Sequence, residues 1–140
     1  MHKFAVLLAL PLAAPIAPVP DKFFFDEGKV RVLILTGRNN HDWRVTNPFL
    51  REVLQWTGRF DVRVTDAAGE LRAARRVVLP GVGSVSQAMA ALRRGGLDDA
   101  IRAHVAAGRP FLGICLGLQV LLEEAEEGGI GPCIGVIPGR

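Results

Sequence analysis

Residues 109–127, RPFLGICLGLQVLLEEAEE, decide how this chain is read. The stretch opens on a short apolar run, Phe111 to Ile114, and turns at Cys115 into Leu116–Glu124, whose composition suits a helix. A cysteine at a strand-to-helix turn, with Gly113 and Gly117 two residues to either side, has the spacing of a nucleophile elbow with sulfur in place of serine oxygen. The glycines remove side chains that would clash in so sharp a bend. The first turn of the helix aims its N–H groups back at the sulfur.

Working outward, Arg76–Leu79 is a buried strand that stops abruptly in Pro80-Gly81-Val82-Gly83. Upstream, Val30–Thr36 is a second buried strand ending at Gly37, and a polar loop through His41, Asp42 and Trp43 follows it. Thr46 or Asn47 is expected to cap a helix with Pro48 near its first position and Gly58 at its end. Phe60–Thr65 alternates with period two, as an edge strand should. Asp66–Arg72 reads as a polar connection. Helices are expected from Ser84 to Gly95–Gly96 and from Asp98 to Gly108, and Cys133–Ile137 is a possible last strand. Strands alternating with helices through short loops specify parallel pairing with right-handed crossovers. The expected fold is α/β, an open doubly wound parallel sheet of about five strands. Its last edge, Ile134–Ile137, would be apolar and unprotected, which invites an edge-strand dimer.

The 140 residues suit one domain, residues 29–140, behind a leader at residues 1–20. Met1-His2-Lys3 followed by Phe4–Leu10 has the n- and h-regions of a signal peptide, although Pro15 and Pro18 sit where cleavage would occur. Pro11 interrupts the run, so no membrane span is expected. A net charge of +3 on scattered arginines does not demand nucleic acid. Two cysteines form no disulfide framework and point to a reducing, cytoplasmic setting, whereas the leader points to export.

In sheets of this kind the working loops lie beyond the carboxyl ends of the strands. Three loops qualify: the one holding His41, the Pro80–Gly83 turn and the Cys115 elbow. Glycines on both sides of Val82 let peptide N–H groups face inward, so Val82 or Gly83 could join Leu116 as an oxyanion hole. His41 and Asp42 make a poor metal pair with no third ligand in view, so neither metal nor cofactor is expected.

Residues 77–140, with VVLPGVG, GLDDAI, AAGRPFLGICLGLQ, EEAEEGG and IPGR, resemble the glutaminase subunits of imidazole glycerol phosphate synthases. These are class I glutamine amidotransferases of histidine biosynthesis, with a flavodoxin-like sheet. The resemblance implies that Cys115 attacks the carboxamide of glutamine, that Gly81, Val82, Gly83 and Leu116 form the oxyanion site, and that Gln119 and Glu127 bind the substrate. It also implies a cyclase barrel as partner and recipient of the ammonia. Residues 29–66, with VRVLILTGRNNHDW and FLREVLQWTGRFDVRVT, resemble the trehalose-utilisation (ThuA-like) family instead, which makes the chain a hybrid joined between Asp66 and Arg75. In that second reading the His41–Trp43 loop serves a carbohydrate-related ligand. A third reading is a hybrid scaffold without activity.

A cysteine amidotransferase needs a histidine to take the thiol proton and a carboxylate to orient it. The family's H-x-E pair, which lies late in its chains, is absent here, so the domain is expected to be C-terminally incomplete and inactive alone. His2 lies in the leader, and His104 shares a helical stripe with Ile101 and Val105, as a packing residue would. His41 would sit one intervening strand from Cys115, about 10 Å away at ~4.8 Å per strand, against the ~3 Å that proton transfer requires.

Overall fold

The structure, a computed structural model, describes residues 28–36, 43–127 and 131–140. Its elements run β1 (Val30–Leu35), α1 (Trp43–Trp56), β2 (Phe60–Thr65), α2 (Ala68–Ala73), β3 (Val77–Gly81), α3 (Val85–Arg94), α4 (Leu97–Ala106), β4 (Phe111–Cys115), α5 (Leu116–Gln119), β5 (Glu124–Ala125) and β6 (Gly131–Pro132). The first four strands form one parallel sheet in the order β2-β1-β3-β4, the expected α/β fold. Strand alternation divides the core between its two faces. Leu33, Leu35, Val77 and Leu79 point to the face covered by α2 to α5, while Val32, Ile34, Val62 and Val78 meet Leu50 and Leu54 of α1. The strands of both halves of the sequence thus share one sheet, joined where Leu33 and Ile34 pair with Val77 and Val78.

The expected fifth strand is not in that sheet. The segment after Pro132 folds back on the turn beyond α5 and spends its donors there: Cys133 on Glu123, Ile134 on Val120, Gly135 on Leu122 and Val136 on Leu121, at 2.8–2.9 Å. Only an isolated bridge, Leu122 to Ile137, survives as β pairing, and Ile134 is fully buried. The same bonds explain why α5 stops at Gln119 instead of reaching Glu124, since they claim the carbonyls of residues 120–123. With no strand at Ile134–Ile137, the apolar edge expected to drive dimerisation does not exist. Arg102 donates to the Ile134 carbonyl and Arg93 to that of Pro132 at 2.6 Å, fixing the fold-back on α4 and α3.

Two other elements differ from expectation. Helix α1 begins at Trp43, so Pro48 lies inside it rather than at its start. Asn47 is buried and donates to the Thr36 hydroxyl instead of capping the helix. The expected connection at Asp66–Arg72 contains α2, which buries Leu71 in the core. No helix among the described residues is long and apolar enough to cross a membrane.

Candidate functional site

The site begins with the one residue that cannot donate to a ladder. In β3 the Arg76 carbonyl accepts from Leu33 of β1, and the Val77 N–H donates to Pro110 on the β4 side. Successive residues of a strand face opposite neighbours, so the edge of Pro80, like that of Arg76, faces β1. Proline has no N–H to offer there. The β1 to β3 register ends at Ile34 and Val78, whereas the β3 to β4 register continues through Leu79 to Gly113 and Pro80 to Ile114 as far as Gly81 to Cys115. One side of β3 therefore opens at its carboxyl end while the other stays paired. The opening is a cleft of about 510 Å³. Thr36 and Asp66 line it after β1 and β2, Pro80 and Gly81 at the end of β3, and Leu116 at the start of α5, with Ala88 and Leu92 of α3 forming the opposite wall.

Cys115 ends the paired side, and neither it nor Gln119 nor Glu127 lines this cleft. Its backbone stands at φ 56°, ψ −115°, the only positive φ of a non-glycine residue among those described. Such a conformation costs about 1–3 kcal/mol and persists only where surrounding structure enforces it. The enforcement is visible. A Cβ on Gly117 would lie 1.8 Å from the Leu79 carbonyl oxygen, and one on Gly113 would lie 2.6 Å from the Gly117 oxygen. Helix α5 is therefore pressed backbone to backbone against β3 and β4, and the chain can make that turn only by bending at Cys115. The thiol is exposed as a result, in contrast to Cys133, which is buried. A Cβ on Gly81 would touch Leu116 at 3.2 Å, so the Pro80–Gly83 turn and the start of α5 are immediate neighbours.

The other expected residues are distributed unevenly. Gln119, the last residue of α5, is half-buried. Glu127 is exposed in the turn after β5. Its acidic neighbours serve the fold: Glu123 accepts from the Gly139 N–H at 3.0 Å, and Glu126 pairs with Arg140 at 3.4 Å. Trp43 is half-buried at the start of α1, with the Arg44 guanidinium 4.6 Å from its ring centre. His41 and Asp42 lie outside the described residues. Sequence reasoning passed over Thr36 and Asp66, although each directly follows a strand at the carboxyl edge that nominated the other three loops.

His104, the sole histidine among the described residues, is buried against Phe111, their rings 6.0 Å apart and edge to face. Its Nε2 lies 3.2 Å from the Pro110 carbonyl, while Nδ1 has no partner. Burial lowers its pKa, which keeps the ring neutral, and nearby Arg109 acts in the same direction against the Pro110 hydrogen bond. Pro110 precedes β4 and Cys115 ends it, a separation of roughly 16 Å at ~3.3 Å per residue. His104 is a packing residue, out of reach of the thiol.

The profile of the CobB/CobQ-like glutamine amidotransferase domain matches residues 49–139, running through the region of the expected join. Imidazole glycerol phosphate synthase subunit HisH of Herpetosiphon aurantiacus is 55% identical over 76 residues, which are 54% of this chain and 36% of that protein. The same subunit from Nitrosococcus oceani is 52% identical over 86 residues, 61% of this chain and 41% of the relative. That of Symbiobacterium thermophilum is 47% identical over 91 residues, 65% and 42%. The chain thus spans about two-fifths of the length of these curated relatives. Among solved structures, a Listeria monocytogenes EGD-e protein described as a peptidase E candidate superposes with a TM-score of 0.60 at 13% identity. The superposition covers 81% of this chain and 66% of that one, a likeness of fold.

Proposed function

We propose, from the premise that this chain belongs to the CobB/CobQ-like glutamine amidotransferase domain family, that it carries the nucleophile and oxyanion half of a glutaminase site. The reading rests above all on Cys115, an exposed thiol on a strained turn whose register partner is Gly81 of the Pro80–Gly83 loop. In the proposed reaction the sulfur attacks the side-chain carboxamide carbon of glutamine. As the S–C bond forms, the carbonyl oxygen takes the negative charge, held by N–H groups of Val82 or Gly83 and of Leu116. The C–N bond then breaks, the proton from the thiol leaves with nitrogen as ammonia, and water cleaves the thioester to give glutamate and restore the thiol. Gln119 and Glu127 are proposed to hold the amino-acid end of the substrate.

Transfer of that proton needs a base, and the described imidazole is buried at the far end of β4. No base for that step stands among the described residues, and the 140-residue chain is therefore proposed to be inactive alone. The match to HisH subunits supports imidazole glycerol phosphate synthesis as the setting, with the synthase's cyclase proposed as recipient of the ammonia.

Ammonia release from glutamine by the 140-residue chain tests this. Negligible turnover is expected, indistinguishable from Cys115→Ala. Turnover that is present in the parent chain and lost in Cys115→Ala would contradict the reading of an incomplete site.

A further inference from the structure

Helix α1 carries two apolar faces, and the sheet uses only one. Asn47, Leu50 and Leu54 face the sheet. Val45, Phe49, Val53 and Trp56 recur at intervals of three to four residues, so they form a second stripe on the outer side. That stripe is open to solvent: Val45 is 62% exposed, Phe49 66%, Val53 44% and Trp56 91%. It runs roughly 16 Å along the helix at ~1.5 Å per residue. Scattered exposed apolar residues are ordinary, but four in line on one helix, ending in a nearly bare tryptophan, mark a surface built to be covered.

We propose that the covering segment belongs to this same chain and is the Phe23-Phe24-Phe25 stretch that precedes β1. The tether is short and starts in the right place. Val30 donates to the Arg59 carbonyl at 2.9 Å and pairs with Phe60, so the chain enters the sheet beside the turn that leaves α1. Trp56 stands only three residues before Arg59. An extended chain advances at most ~3.5 Å per residue, which puts Phe25 within roughly 11 Å of Gly28 and Phe23 within roughly 18 Å. The phenylalanines are therefore confined to the neighbourhood of the turn that leaves α1, the end of the stripe that holds Trp56. Charge agrees with this placement. Asp21, Asp26 and Glu27 outnumber Lys22 and Lys29 around the phenylalanines, whereas α1 and its exit turn hold Arg44, Arg51 and Arg59 against Glu52 alone. The occupant also lies beyond residue 20, so removal of the leader would leave it in place.

Trp56 reports on its own burial. In the full chain with Trp43→Phe, Trp56 is the sole tryptophan, and its emission and acrylamide quenching are compared with those of the same chain carrying Phe23→Ser, Phe24→Ser and Phe25→Ser. Blue-shifted emission that moves to the red in the triple variant, with quenching at least threefold more efficient, is the expected result. Emission that is fully exposed and identical in both chains would overturn the proposal. So would protection that persists in the triple variant and grows with protein concentration, which would assign the stripe to a second copy. Far-ultraviolet circular dichroism verifies that both chains fold. Limited chymotrypsin digestion gives an independent reading: Trp56→Glu should speed cleavage at Phe23–Phe25 severalfold, and an unchanged rate would count against the contact.

Discussion

At the scale of single residues, the account turns on Cys115. A side chain at φ 56°, ψ −115° is held against its own preference by Gly113, Gly117 and the Leu79 carbonyl. Replacing the cysteine by glycine removes the Cβ that makes this conformation costly. Cys115→Gly should therefore raise stability by about 1 kcal/mol in denaturant unfolding, while Cys115→Ala, which keeps the Cβ, should leave it nearly unchanged. A Cys115→Gly variant no more stable than Cys115→Ala would mean that the turn carries no strain. The cysteine itself was legible in the sequence, because two glycines at a fixed spacing around it have few other uses. His104 was legible as well, since its helical stripe placed it among core residues, where it is found. Thr36 and Asp66 were not. A threonine and an aspartate at strand ends are common in any loop, and only the opening beside Pro80 gives them a shared cleft.

Among the elements, α5 and β3 form the unit on which the site depends. Their contact is backbone against backbone at Gly117, so Gly117→Ala must push α5 off β3. The expected loss is about 3 kcal/mol or more in unfolding free energy, with Cys115 displaced from Gly81. An alanine variant within 0.5 kcal/mol of the parent, in an assay good to about that margin, would show that the close approach is not as drawn. Strands β1, β3 and β4 are legible as apolar runs, because burial on both faces leaves that signature, and β2 by its period-two alternation as an edge strand. The Cys133–Ile137 segment carries the same signature for a different reason. It is buried by folding back on residues 120–123, and an apolar run does not say which donors and acceptors will satisfy it. The start of α1 was misjudged similarly. Asn47 and Pro48 are good first-turn residues, but the Asn47 side chain is engaged with Thr36 of the neighbouring strand.

For the molecule as a whole, the sheet order β2-β1-β3-β4 sets what each half of the sequence contributes. Residues 30–65 build one flank with α1, and residues 77–119 bring the cysteine and its glycine loop together on adjacent strands. The two cysteines differ in the way this arrangement requires: Cys115 is exposed, while burial pushes the Cys133 thiol upward, opposed by nearby Arg93. The most direct measurement is the rate at which a glutamine analogue with a chloroketone in place of the carboxamide alkylates each thiol at neutral pH. Alkylation should fall on Cys115 at least tenfold faster than on Cys133 and should slow when free glutamine is added. Equal, slow modification of both thiols, unaffected by glutamine, would contradict the claim that this turn presents its sulfur to a glutamine carboxamide.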